Sequence, residues 1–269
     1  MKLQGIFLPV AIPFDHAGAL YAVKVQHNVE KWNRTGLAGF VVSGPENVYL
    51  TSEERTRMWE WVAEYSAPEK LLIAEAGAPG VRQTVEAANL AETLGYVAAM
   101  VRVPDETHDA KMIYFRAVAD QSKIPVVIDG DLPPEAIAAL GQHPNIAAIC
   151  RESLDPVEGL PTLAGSALTL SESFAAGAVG AVLPFANAAP YALISIWEAH
   201  RTREFEAARD WQTRVAPITR LIGGAWGVAA LKHAMDLNGY YGGPPRLPLT
   251  VLTPEQQKEV EGALDGIKG

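Results

Sequence analysis

The chain is short of cysteine, of net positive charge and of long apolar runs, and each shortage excludes a class of protein. Cys150 is the single cysteine in 269 residues, so neither an internal disulfide framework nor an all-cysteine metal site can form. Asp and Glu outnumber Lys and Arg by 31 to 22, a formal charge of −9, and the pI is near 5.2. That balance argues against nucleic acid or an anionic membrane surface as the main partner. No apolar run reaches the length of a membrane span. Lys2, the apolar stretch behind it and Ala17-Gly18-Ala19 imitate a signal peptide, but Pro9, Pro13 and Asp15 interrupt the imitation. A cytoplasmic protein is the expectation.

Apolar residues, by contrast, are plentiful. At 49% hydrophobic, 269 residues can bury one barrel-sized core. The pattern alternates short β-branched runs with helical spacing. Strands are expected at Gly5–Phe14, Gly39–Ser43, Leu71–Ala76, Val97–Val103, Pro125–Asp129, Ile146–Arg151, Leu160–Ser166 and Ala178–Pro184. Thr51-Ser52-Glu53-Glu54 starts a helix with a hydroxyl cap and first-turn acids. Helices then run on without strands over Ala189–Arg201, Glu204–Ile222, Trp226–Leu237 and Pro254–Leu264. Eight alternations with no Gly/Ser-rich linker predict an α/β fold, a TIM (β/α)8 barrel over residues 1–188. Residues 189–269 form a C-terminal helical extension packed on it as one structural unit.

Barrels of this kind place chemistry at the carboxyl ends of their strands. Ser43, Gly44, Glu46, Glu75, Arg102, Asp129, Asp131, Arg151, Glu152 and Ser166 fall there. Arg102 or Arg151 can hold a carboxylate bidentately, and Glu46, Glu75 or Asp129 can move protons. The sharper assignment makes Arg151, Asp129 and Glu46 catalytic, with Ser43, Gly44, Arg102, Glu75, Glu152 and Ser166 binding substrate. A plainer alternative has Arg151 paired with Glu75 or Asp129 and filling the barrel mouth, because a buried arginine needs a carboxylate. Cys150, in an apolar strand, reads as a small core residue. His108 has no second histidine near it, so no metal site and no cofactor is expected. Trp32, Trp59, Trp61, Trp197, Trp211 and Trp226 all fall on expected helices, as barrel packing or as an oligomer surface.

The run Asn145-Ile146-Ala147-Ala148-Ile149-Cys150-Arg151-Glu152-Ser153 resembles the sixth strand of the dihydrodipicolinate synthase / N-acetylneuraminate lyase family. So do the opening Gly5-to-Phe14 strand, Leu50-Thr51-Ser52-Glu53-Glu54-Arg55, Ala176-Gly177-Ala178-Val179-Gly180 with Asn187-Ala188-Ala189-Pro190, and Gly243-Pro244-Pro245-Arg246-Leu247-Pro248-Leu249. The resemblance implies a class I aldolase barrel, carbon–carbon lyase or aldol chemistry on pyruvate-like keto acids, and a homo-oligomer, dimer or tetramer. It also implies a lysine before the acid of that strand, which forms a Schiff base. Here that position holds Cys150 or Arg151, depending on the placing of one gap. The family's Gly-Thr-Thr-Gly-Glu loop is reduced to Ser43-Gly44-Pro45-Glu46, and its Pro-Tyr-Tyr and Tyr-Asn-x-Pro segments to Val103-Pro104-Asp105 and Ile128-Asp129-Gly130. None of the nine lysines lies at the carboxyl end of an expected strand. Arginine stays protonated and cannot replace the amine. The expectation is a family barrel that has lost Schiff-base chemistry. It would be either a non-catalytic ligand- or partner-binding protein or a divergent enzyme using Arg151 and a carboxylate on a small anionic molecule such as a keto acid.

Overall fold

Eight short parallel strands made largely of β-branched and small apolar residues close on themselves in sequence order in the computed structural model. The structure describes residues 2–267 apart from 43, 45, 103, 104, 156, 157 and 225. The strands are β1 (Gly5–Pro9), β2 (Gly39–Val42), β3 (Leu71–Glu75), β4 (Ala98–Arg102), β5 (Val126–Asp129), β6 (Ile146–Arg151), β7 (Thr162–Ala164) and β8 (Gly180–Val182). β8 returns to pair with β1, which completes the barrel. Side chains alternate across each strand. One set, including Phe7, Ile73, Met100, Val127, Ala148 and Cys150, fills the barrel interior. The other set packs outward under the helices. Where β2 crosses β3 the backbones approach so closely that a Cβ on Gly39 would sit 2.0 Å from the Leu71 carbonyl oxygen.

Helices α1 (Ala22–Asn33), α2 (Ser52–Tyr65), α3 (Val81–Thr93), α4 (His108–Gln121) and α5 (Pro134–Leu140) follow the first five strands. α6 (Leu170–Ala175) and α7 (Pro190–Arg201) follow β7 and β8, and the extension adds α8 (Phe205–Gly223), α9 (Gly227–Leu237) and α10 (Pro254–Leu264). Strand–helix alternation is broken once: among the described residues no helix separates β6 from β7. The first strand is also shorter than its apolar run. Beyond Val10, the N–H groups of Ala11 and Ile12 donate to Asn187 Oδ1 and Glu46 Oε2 rather than to a neighbouring strand.

Several sequence landmarks meet in space. The capping box of α2, with Thr51 and Glu54 bonded reciprocally, also presents Glu54 to Arg246. That guanidinium donates at 2.7 Å and 2.6 Å to the two carboxylate oxygens and lies 4.2 Å from the Phe14 ring centroid. The Pro-Pro-Arg segment therefore pins the end of the extension to α2 and to the turn after β1. The tryptophans are accounted for within one chain: Trp32 and Trp59 are fully buried, and Trp61, Trp197, Trp211 and Trp226 pack against the core. No described helix is long and apolar enough to cross a membrane.

Candidate active site

Strand alternation builds the mouth of the barrel. Ile73, Met100 and Val127 point inward, so the residues two positions on, Glu75, Arg102 and Asp129, arrive at the inner rim. Register places Asp129 beside Arg102 on β4 and beside Cys150 on β6. These groups surround a cavity of about 490 Å³, whose wall also includes Gly44, Asp131, Arg151 and Glu152 over a floor with Val41, Met100, Cys150 and Val182. Gly44 has no room for a side chain, since a Cβ there would lie 3.0 Å from the Pro9 carbonyl carbon.

Arg102 pairs with Asp129 at 3.2 Å. Burial raises the Asp129 carboxyl above its ordinary value, and the Arg102 charge opposes the rise. Glu75 has no ion-pair partner within reach among the described residues. Desolvation pushes it up to about 8, helped by the Asp129 charge and opposed by Arg102, Arg55 and a hydrogen bond from Asn47. A carboxyl that is still mostly protonated at neutral pH can give or take a proton there.

Arg151 does not plug the mouth. Its side chain, 3% exposed, runs under the loop after β6. Nε donates to Asp131 Oδ1 at 3.2 Å and Nη1 to the Asp155 carbonyl at 3.3 Å, while Asp131 also accepts from the Ser153 N–H. The expected pairing with Glu75 or Asp129 is therefore replaced by Asp131, because β6 alternation turns Arg151 away from the barrel axis while Cys150 faces it. The Cys150 thiol is held well above its ordinary value, first by burial and then by the charges of Asp129, Glu152 and Asp131. As a neutral thiol it is a poor nucleophile.

Two other expected site residues lie off the cavity. Ser166 Oγ accepts the Leu168 N–H instead, and Gly165 takes its place on the wall. Glu46 is fully buried, bonded through Oε2 to Ile12 N at 2.9 Å and 3.3 Å from Lys232 Nζ. Ser43 lies outside the described residues. Lys232 itself was invisible as a site group from sequence: it is 1% exposed and donates to the carbonyls of Ile12, Gly242 and Pro244. Burial lowers its pKa and raises that of Glu46, but only the ammonium supplies a donor to each of three carbonyls. The one hint in the sequence was a lysine inside the apolar helix Val228 to Met235. Asp236 at i+4 gives the spacing of an ordinary solvated pair, which conceals it. Among the described residues, no three His, Cys, Asp or Glu side chains converge as a metal site would require.

A closed parallel barrel with helices outside and a polar cavity at the carboxyl ends of its strands is the architecture of a barrel enzyme. The family model of the Dihydrodipicolinate synthetase family matches residues 2–267, and the chain belongs to that family. A 4-hydroxy-tetrahydrodipicolinate synthase of Exiguobacterium sp. is 26% identical over 97% of this chain and 97% of its own length. The corresponding enzyme of Xanthomonas campestris pv. campestris is 29% identical over 96% of this chain and 92% of its own. In fold, the crystal structure of a dihydrodipicolinate synthase from Bacillus anthracis superposes with a TM-score of 0.93 at 21% identity, covering 100% of both chains.

Proposed function

We propose that this chain keeps the family's lyase barrel as a small-molecule site but works without a Schiff base, and that Glu75 is the group that moves protons in it. One observation carries the reading. The cavity is open, its wall among the described residues contains no lysine, and the desolvated Glu75 carboxyl on that wall stands at about 8. The relatives' names give the reaction class of 4-hydroxy-tetrahydrodipicolinate synthases. In such a site the imine amine belongs on an inward position of β6, and here that position holds Cys150. A neutral thiol cannot serve as the electron sink.

In this reading Arg102, 72% exposed at the rim, uses donors left over from Asp129 to take a ligand carboxylate, and Asp129 fixes its direction. Arg151 acts as a positioning residue, through Asp131 and the loop after β6, and Glu46 belongs to the scaffold. A purely ligand-binding barrel is the second reading, favoured by a described cavity wall with no lysine and a thiol that burial keeps neutral. Carbon-13 NMR titration of the glutamate carboxyls tests the assignment. One resonance should titrate near 8 and disappear in Glu75→Gln; a Glu75 midpoint near the ordinary 4.5 would remove the proposed acid–base group.

A further inference from the structure

Charge at the mouth is lopsided. Among the described residues, four carboxyl groups, those of Glu75, Asp129, Asp131 and Glu152, line the cavity with two guanidinium groups. Both guanidiniums are already engaged, Arg102 with Asp129 and Arg151 with Asp131, each at 3.2 Å. Among the described wall residues no cation is left without a carboxylate. A simple anion entering this space meets a net negative surface and shares the arginine it uses with an aspartate. Glu75 presents the opposite opportunity. It is a carboxyl on the cavity wall with no ion-pair partner within reach among the described residues, opposed only at longer range by the Arg102 and Arg55 charges, over a floor of Met100, Val182 and Cys150 that suits a short alkyl chain. The carboxyls do not converge tightly enough for a metal ion, whereas an alkylammonium spreads three donors at ordinary hydrogen-bond distances.

We propose that the ligand of this cavity carries an amino group, a small amine or amino-acid zwitterion rather than a plain keto acid, with its ammonium against Glu75. The proposal rests on the small-molecule reading of the same cavity and adds the ligand's charge. The pH dependence has a definite sign. An ammonium beside Glu75 favours the ionised carboxylate, so its binding strengthens as pH rises toward 8. An anion favours the protonated form, and its binding weakens over the same range.

The test compares three probes of matched size on the full-length protein: isopropylamine, L-alanine and pyruvate. Ligand-observed NMR at millimolar concentration, at pH 6, 7 and 8, reads their affinities for the native chain and for Glu75→Gln. The two amino probes should bind more tightly than pyruvate, isopropylamine by roughly tenfold at pH 8. Its affinity should rise with pH in the native chain and lose that rise in Glu75→Gln. Pyruvate binding more tightly than both amino probes would overturn the amine proposal and leave the small-molecule site standing. An amine affinity indifferent to Glu75→Gln would also overturn it. No binding by any of the three would overturn both.

Discussion

Glu75 shows how one residue changes when a cavity is built around it. Its carboxyl sits at the end of a short apolar strand, and desolvation outweighs the two arginines that would keep it ionised. The consequence for stability has a direction. Below the ordinary 4.5, Glu75 is protonated in both folded and unfolded chains. Between 4.5 and about 8 only the folded chain holds the proton. Its contribution is therefore full at low pH and is lost as pH rises through 8. Glu75→Gln, which cannot ionise, should be more stable than the native chain at pH 9, on the order of 5 kcal/mol, with the difference closing toward pH 5. Urea unfolding at the two pH values measures it, and a difference that does not change with pH would count against a desolvated Glu75. Arg151 teaches a related lesson. The sequence shows that it needs a carboxylate but not which one, because strand parity decides the choice and a one-residue shift exchanges the roles of Cys150 and Arg151.

At the scale of elements, the sequence is legible where signals are local. Thr51 with Glu54, the β-branched strand cores and the alternation of spacing identify the helix start, the strands and their order, while closure into a barrel rests on the family resemblance as well. Strand ends are less legible. β1 stops at Pro9 although the apolar run continues, because its next donors are taken by Asn187 and Glu46 from distant segments. The buried Lys232–Glu46 pair is the extreme case: neither residue carries a local sign of the other. Lys232 ties α9 to the carbonyl of Ile12 and, through Glu46, to the loop after β2. Lys232→Met leaves a buried carboxylate and three carbonyls without their donor, and should cost about 3–5 kcal/mol. Adding Glu46→Leu should recover part of that loss by removing the uncompensated charge. Unchanged stability in the single variant, measured by urea unfolding, would show that the pair does not hold the extension to the barrel.

For the whole molecule, the six tryptophans no longer argue for self-association, since one chain buries or packs them all. The exposed apolar side chains include instead Val23, Val48, Ile113, Leu247 and Val251, each at least 66% exposed. We expect covering of such surface in a dimer or tetramer. Light scattering at micromolar concentration should give a multiple of 28.9 kDa, and a single-chain mass would refute self-association. The barrel as a whole thus retains the family's architecture around a mouth lined by carboxyls and guanidiniums. The central claim is that this mouth forms no imine, and reductive trapping tests it most directly. The protein is incubated with pyruvate and borohydride, and its intact mass is then measured beside that of Cys150→Lys, which restores an amine to the inward position of β6. The native mass should stay unchanged while the variant gains a stoichiometric adduct. A stoichiometric adduct on one internal lysine of the native chain would contradict the account.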